Sequence, residues 1–313
     1  RFSMTSARAS DGFRLHILHI NDLHSRVEQI SQYDSTCSAE DAAEGSCFGG
    51  YARLATEIRN RRAALEAEGT PVLTLDAGDQ FQGSLYYTTY KGQAEIQFMN
   101  AIGFDAMALG NHELDDGPDV LADFIEEAAF PVISGNTRVA AEERLATVLQ
   151  EHVVLDAGGE RIGVLSVLTP NTAIISSPGD NVAFDDEIAY LEAAVARLKA
   201  EGIDKILVLS HVGFGRDQEI AAAVDGISAI IGGHSHTLLS DTEPDAPAYA
   251  TLVESPSGRP VPIVQAYAYS KYLGDLELDF GDYGAVVAAT GDTVLLDASI
   301  PLASDIEEPI ASL

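Results

Sequence analysis

The sequence predicts an α/β fold with mixed sheets, and three observations support this prediction. Short, nearly continuous apolar runs alternate with segments of helical periodicity, which is the pattern of buried parallel strands joined by helices. Five of these apolar runs end in side chains that can bind metal ions. Beyond residue 260 the apolar residues alternate with a period of two, which indicates antiparallel strands.

The first half of the chain begins with the strand-like run RLHILHI at 14–20. Its clearest helix is predicted at 51–66, where Tyr51, Leu54 and Ile58 recur at helical spacing. Weaker helical patterns cover 94–102 and 119–129, and further apolar runs predict strands at 72–75, 106–109 and 131–134.

In the second half, two runs at 151–155 and 161–168 predict a hairpin around Gly158 and Gly159. A strong amphipathic helix is predicted at 185–200. A short helix at 217–224 follows, with strands predicted at 205–209, 227–231, 261–268, 273–280 and 285–290. From about Ser299 the chain is polar and shows no core pattern, so we expect a frayed tail or the start of a linker.

The chain is strongly acidic, with 49 Asp and Glu against 18 Lys and Arg and a formal net charge of −31. Such a surface would repel nucleic acid and anionic membranes, and no apolar run is long enough to span a bilayer. We interpret the acidity mainly as a solvation feature, as in proteins from salty environments. An anionic substrate would need locally concentrated positive charge, which bound metal ions could supply.

Two cysteines, Cys37 and Cys47, lie close together in a polar loop. Their proximity favours a loop-closing disulfide and an oxidising compartment, with a metal-binding pair as the alternative. The chain starts with Arg1, so an export signal could have been removed. We therefore expect a periplasmic, secreted or cell-surface location.

Metal-capable side chains follow five strands, at Asp22 and His24, Asp79, Asn111 and His112, His211, and His234 and His236. We expect them to meet at one edge of the sheet, because ligands gather at the carboxyl ends of parallel strands. A ligand set of Asp, Asn and His without Cys suits Zn, Mn, Fe or Co ions. The number of these ligands is larger than one ion needs. The sequence therefore predicts two divalent ions bridged by a carboxylate. The alternative is a set of unrelated polar residues at strand ends.

The motifs NDLH, GDQ, GNHE, SH and GHSH resemble those of the calcineurin-like dinuclear metallophosphoesterases. Within these, LDAGDQFQGS, DAMALGNHELD and YSKYLGDLELDF resemble the 5′-nucleotidase family, especially its ecto-5′-nucleotidase branch. The resemblance implies a four-layer αββα sandwich with mixed sheets and a dinuclear site at the strand ends. The cysteine pair after NDLH also fits this family.

The resemblance also implies roles for individual residues. One metal ion would be held by Asp22, His24, Asp79 and His236, and the other by Asp79, Asn111, His211 and His234, with Asp79 bridging. His112 and Asp115 would form the catalytic dyad, and Asn111 and His112 would contact the substrate phosphate. A protonated His112, oriented by Asp115, would stabilise charge on the phosphoryl group or leaving oxygen.

The implied reaction is hydrolysis of phosphate monoesters, with 5′-nucleotides as substrates and in-line attack by water activated on two metal ions. Alternatives on the same site are nucleotide-sugar or dinucleotide pyrophosphatase, cyclic phosphodiesterase and thiosulfohydrolase-like activities. A nucleotide-binding module without turnover would be a different class of function. The presence of both His112 and Asp115 argues against it, because binding alone does not need that pair.

The resemblance further implies a division into domains. Residues 1–296 would form the metallophosphoesterase domain, and 297–313 a tail or the start of a linker. Enzymes of the family carry a C-terminal domain that contacts base and phosphate. We expect this chain to be either a fragment lacking that domain or a natural single-domain relative.

Overall fold

The computed structural model describes residues 12–313, which form sixteen strands, ten α-helices and two 3₁₀ turns. The strands are β1 (Phe13–Ile20), β2 (Ile30–Ser31), β3 (Cys47–Phe48), β4 (Val72–Asp76), β5 (Ala106–Ala108), β6 (Val132–Ile133), β7 (Thr137–Arg138), β8 (His152–Ala157), β9 (Glu160–Leu168), β10 (Ala183–Phe184), β11 (Lys205–His211), β12 (Ala229–Gly232), β13 (Thr251–Glu254), β14 (Pro260–Val264), β15 (Tyr272–Phe280) and β16 (Val286–Leu295). The helices are α1 (Ala39–Ala43), α2 (Tyr51–Ala67), α3 (Leu85–Tyr90), α4 (Gln93–Ile102), α5 (Pro118–Glu127), α6 (Leu145–Val148), α7 (Thr172–Ile175), α8 (Glu187–Ala200), α9 (Phe214–Ala223) and α10 (Ser304–Ile310).

Two six-stranded sheets form the centre of the fold. The first has the order β16-β15-β1-β4-β5-β6, and the second β13-β14-β12-β11-β9-β8. The inner strands pair in parallel, whereas β15 and β16 in the first sheet and β8 and β13 at the edges of the second pair antiparallel to their neighbours. The sheets are therefore mixed, as predicted.

Three apolar clusters fill the spaces between the four layers of helices and sheets. Leu15 and Ile17 on one face of β1 pack between the sheets with Val164 and Leu207. The opposite face of the first sheet is covered by α2, α4 and α5, and the opposite face of the second by α8 and α9. Alternate residues of a strand point to opposite faces, so each sheet can bury both faces. The expected αββα sandwich is confirmed.

Two expectations from the sequence need correction. The five strands that end in metal-capable residues do not lie in one sheet, because β1, β4 and β5 belong to the first and β11 and β12 to the second. The C-terminal segment is not frayed, since Ile306 and Ile310 of α10 are buried in the core beside α2. Two isoleucines four positions apart form a stripe too short to stand out in a polar segment.

Within residues 12–313, no helix combines the length and the apolar character needed to cross a membrane.

Candidate dinuclear metal site

Both sheets contribute side chains to one cluster at the carboxyl ends of their parallel strands. Asp22 and His24 follow β1, Asp79 follows β4, and Asn111 follows β5. From the second sheet, His211 is the last residue of β11, and His234 and His236 follow β12. The parallel direction of these strands brings all seven predicted ligand residues to the same end of the sandwich.

Asp22, His24 and His236 form one donor group, whose ligand atoms lie within 4.8 Å of one another. The Oδ1 atom of Asp22 is 3.3 Å from Nε2 of His236 and 3.8 Å from Nε2 of His24. The two imidazoles approach to 3.0 Å between their Nε2 atoms. One carboxylate and two imidazoles this close together match the ligand set of a divalent transition metal.

Asp79, His211 and His234 form the second donor group, also within 4.8 Å. The Nδ1 atom of His211 lies 2.7 Å from the carbonyl oxygen of Ala77, so a proton on Nδ1 leaves Nε2 as the ligand atom. That Nε2 atom is 3.0 Å from Oδ2 of Asp79, yet it makes no aligned hydrogen bond among residues 12–313. A buried nitrogen without a hydrogen-bond partner fits the role of a metal ligand.

Asp79 lies between the two donor groups. Its Oδ2 atom is 3.0 Å from Nε2 of His211 in one group and 3.8 Å from Nε2 of His24 in the other. Asn111 is also buried, and its Oδ1 atom has no hydrogen-bond partner in the described part of the chain. The donor set therefore fits two divalent ions with a shared carboxylate.

The electrostatics of the cluster also favour cations. Burial lowers the pKa of His24 and of His234, which keeps both imidazoles neutral and able to ligate. Burial opposes ionisation of Asp79, but the neighbouring imidazoles, led by His211, outweigh it and lower the pKa of this carboxyl group. Burial alone would also lower the pKa of His211. The carboxylates of Asp79 and Asp22 have the larger effect and raise the pKa of His211 to about 10. A metal ion would supply the positive charge that these carboxylates attract, and would displace that proton.

The backbone of the cluster is unusual in its dihedral angles. Five predicted ligands adopt the left-handed region, with φ between 50° and 75°: Asp22, His24, Asp79, His234 and His236. This region costs a non-glycine residue roughly 1–3 kcal/mol and is concentrated at functional sites. A Cβ atom on Gly110 would also collide with the Asp79 carboxylate, so this turn requires glycine.

The predicted dyad lies beside the two donor groups. His112 begins a short 3₁₀ turn, His112–Leu114, and its Nδ1 atom is 2.6 Å from Oδ2 of Asp115. A ring nitrogen of His112 lies within 4.8 Å of ligand atoms of His24 and Asp79. Burial lowers the pKa of His112, but Asp79 and Asp115 outweigh it, so its pKa lies above the ordinary value. The His112 ring therefore lies beside the metal cluster with its Nδ1 side held by Asp115.

Two orienting residues were missed by sequence reasoning. The fully buried Glu113 carboxylate accepts four backbone N–H bonds, from Asp79, Gln80, Phe81 and Gly110, at 2.6–3.1 Å. Asn21 donates from Nδ2 to Oδ2 of Asp22 at 2.7 Å. Both residues belong to the quoted motifs, NDLH and GNHE, but nothing in their spacing shows which backbone groups they bind.

Comparison with known proteins agrees with this geometry. Residues 15–238 match the calcineurin-like phosphoesterase family. The chain is 42% identical over 301 residues to the 5′-nucleotidase of Bos taurus, covering 94% of this chain and 51% of that protein. It thus spans about half the length of the curated relatives it matches.

Two solved structures show the same likeness. The 5′-nucleotidase precursor of Thermus thermophilus has a TM-score of 0.87 and 38% identity, covering 96% of this chain and 58% of that one. The NAD nucleotidase of Haemophilus influenzae has a TM-score of 0.82 and 31% identity, covering 92% and 57% respectively. The resemblance expected from the motifs is confirmed, and the chain belongs to the calcineurin-like phosphoesterase family.

Proposed function

We propose that this chain is a metal-dependent phosphoric ester hydrolase that converts 5′-nucleotides to nucleosides and phosphate. The observation that carries the proposal is the pair of donor groups around Asp79 with the His112–Asp115 pair beside them. A site that only bound a metal would not need an imidazole held by a carboxylate next to it. The similarity to 5′-nucleotidases supports the nucleotide as substrate.

The seven ligand residues would hold the two ions, with Zn, Mn, Co or Fe as candidates from the donor chemistry. When bound, these ions would supply Lewis acidity and activate water for in-line attack. His112 would hold its proton toward the phosphoryl or leaving oxygen, because Asp115 occupies its Nδ1 side. The side-chain amide of Asn111 would bind the same phosphate group.

Dinucleotide pyrophosphatase activity is the alternative on the same site, and the similarity to 5′-nucleotidases favours the monoester hydrolase over it. It requires the same metal cluster but cleaves a phosphoanhydride bond. The product separates the two activities, because a pyrophosphatase releases a mononucleotide, whereas a nucleotidase releases inorganic phosphate.

The cell compartment is also a proposal. The structure joins Cys37 and Cys47 in a disulfide, as predicted, and disulfides persist in oxidising compartments. We therefore propose a periplasmic, secreted or cell-surface location.

The test is phosphate release from AMP and from an aryl phosphate after loading with Mn²⁺, Co²⁺ or Zn²⁺. NAD is assayed in parallel by product chromatography, and Asp79→Asn serves as the inactive control. Metal-dependent phosphate release from AMP supports the proposal. Turnover of the aryl ester alone supports a phosphoesterase but contradicts the nucleotide as substrate. No turnover of any ester with two ions bound contradicts the hydrolase and favours a binding module.

A further inference from the structure

Both carboxylate oxygens of Asp115 are hydrogen-bonded to side chains, and the two partners come from different parts of the fold. Oδ2 pairs with Nδ1 of His112 at 2.6 Å, within the same turn. Oδ1 accepts from the hydroxyl of Ser176 at 2.7 Å, a residue 61 positions away in sequence. The carboxylate is thus fixed from two sides.

Ser176 reaches Asp115 from the segment of chain that follows the second sheet's strand β9. It is the first residue after α7, which follows β9, whereas His112 and Asp115 follow β5 of the first sheet. The start of α7 is anchored, because Thr172 is fully buried and its hydroxyl donates to the Thr169 carbonyl at 2.7 Å. The Ser176–Asp115 contact therefore ties the dyad to the other half of the sandwich.

We propose that Ser176 is a positioning residue that holds the Asp115 carboxylate in the orientation His112 requires. A carboxylate bonded at one oxygen can rotate about its Cβ–Cγ bond, and the Asp115 side chain is 18% exposed, so water could compete for it. A second bond at Oδ1 restricts that rotation and keeps Oδ2 aimed at Nδ1. The proposal deepens the hydrolase function proposed above and rests on it for its kinetic consequences.

The kinetic test uses three variants. Ser176→Ala removes the hydroxyl, Ser176→Thr retains one, and Ser177→Ala is the matched control, because Ser177 is exposed and makes no side-chain hydrogen bond among the described residues. We expect Ser176→Ala to lower kcat roughly tenfold with KM and metal content unchanged, as for other orienting partners. Ser176→Thr should recover most of the activity, and Ser177→Ala should match the parent.

A double-variant cycle separates positioning from a general effect on the loop. If Ser176 acts through Asp115, Ser176→Ala should cause no further loss in an Asp115→Asn background, because the two residues act as a unit. An equal loss in both backgrounds, or a Ser176→Ala enzyme indistinguishable from the parent, overturns the proposal.

A second readout does not depend on turnover. In the metal-free protein, the Nδ1 proton shared by His112 and Asp115 should give a downfield proton NMR signal, assigned by its loss in His112→Gln. We expect it to broaden or shift in Ser176→Ala and to persist in Ser177→Ala. An inactive parent enzyme would contradict the proposed hydrolase function, while this NMR signal would still decide the role of Ser176. An unchanged signal in Ser176→Ala would overturn the positioning role of Ser176.

Discussion

The Nε2 atom of His211 lies 3.0 Å from the Oδ2 atom of Asp79, although the two residues come from different sheets. His211 ends β11 of the second sheet, and Asp79 follows β4 of the first. The candidate metal site therefore depends on how the sheets pack, and a change at Asp79 should affect both donor groups.

Asp79→Asn should lose at least one of two bound ions. The amide retains an oxygen but loses the negative charge, and the Oδ2 atom of Asp79 lies near one ligand of each group, 3.0 Å from His211 and 3.8 Å from His24. Elemental analysis after dialysis measures the metal content, with Asp245→Asn as the control because Asp245 is exposed and Asn tolerates its left-handed backbone. Two ions retained in Asp79→Asn would contradict its bridging role.

His112→Ala should keep its metal ions but lower turnover about 10²-fold or more, the usual loss for one preorganised partner of transition-state charge. His112 forms a third possible donor group with His24 and Asp79, but the two donor groups assigned to the ions are complete without it. Metal content and kcat are measured on the same preparation. Unchanged turnover would remove His112 from the mechanism.

Glu113→Ala should destabilise the protein by at least about 4 kcal/mol, since four buried N–H groups lose their acceptor and each such loss costs about 1–3 kcal/mol. The turns holding Asp79 and Gly110 would loosen together, so metal affinity should fall as well. Urea unfolding and metal titration check both effects, with the exposed Glu143→Ala as the matched control. A free energy of unfolding equal to that of the parent would contradict this expectation and would show that water accepts the four N–H bonds in place of the carboxylate.

His19 should make the free energy of unfolding depend on pH. Burial lowers its pKa to about 3, and its Nε2 atom lies 2.8 Å from the Tyr249 hydroxyl. Below about pH 6.5 the unfolded chain binds a proton that the folded chain does not, so stability is full above that pH and falls as the pH falls toward 3.

The comparison is between the parent and His19→Gln, each unfolded in urea at pH 7 and pH 5. The parent should lose about 2 kcal/mol more than the variant, from roughly 1.4 kcal/mol per pH unit below about 6.5. Other titrating groups are common to both proteins and cancel in the difference. Equal losses would show that His19 is protonated in the folded state.

Cys37 and Cys47 should show no free thiol when the protein is denatured without reductant. Closing a loop with a sequence separation of 10 should stabilise the fold by about 3 kcal/mol through the entropy of the unfolded chain. Thiol titration tests the bond, and thermal unfolding of Cys37→Ser/Cys47→Ser against the parent tests its contribution. Two titratable thiols would contradict the pairing.

The sequence by itself determined the α/β class, most of the strands, five of the ten α-helices, and the residues that form the candidate cluster. Apolar periodicity follows from burial, which acts locally on each element, so runs such as 14–20 and 51–66 were recognisable without the fold. Asp22, Asp79 and His211 are predictable because each lies just past the end of a predicted strand, and the carboxyl ends of parallel strands meet.

Only the tertiary structure decided how these elements pair and which side chains orient the cluster. The strands β1 and β11 belong to different sheets. Three of the four bonds to Glu113 and the contact of Ser176 with Asp115 join residues at least 32 positions apart in sequence. The left-handed backbone at Asp79 is equally non-local, since surrounding packing and hydrogen bonds must stabilise it. Periodicity reports which face of an element is buried, but only packing decides what lies against that face.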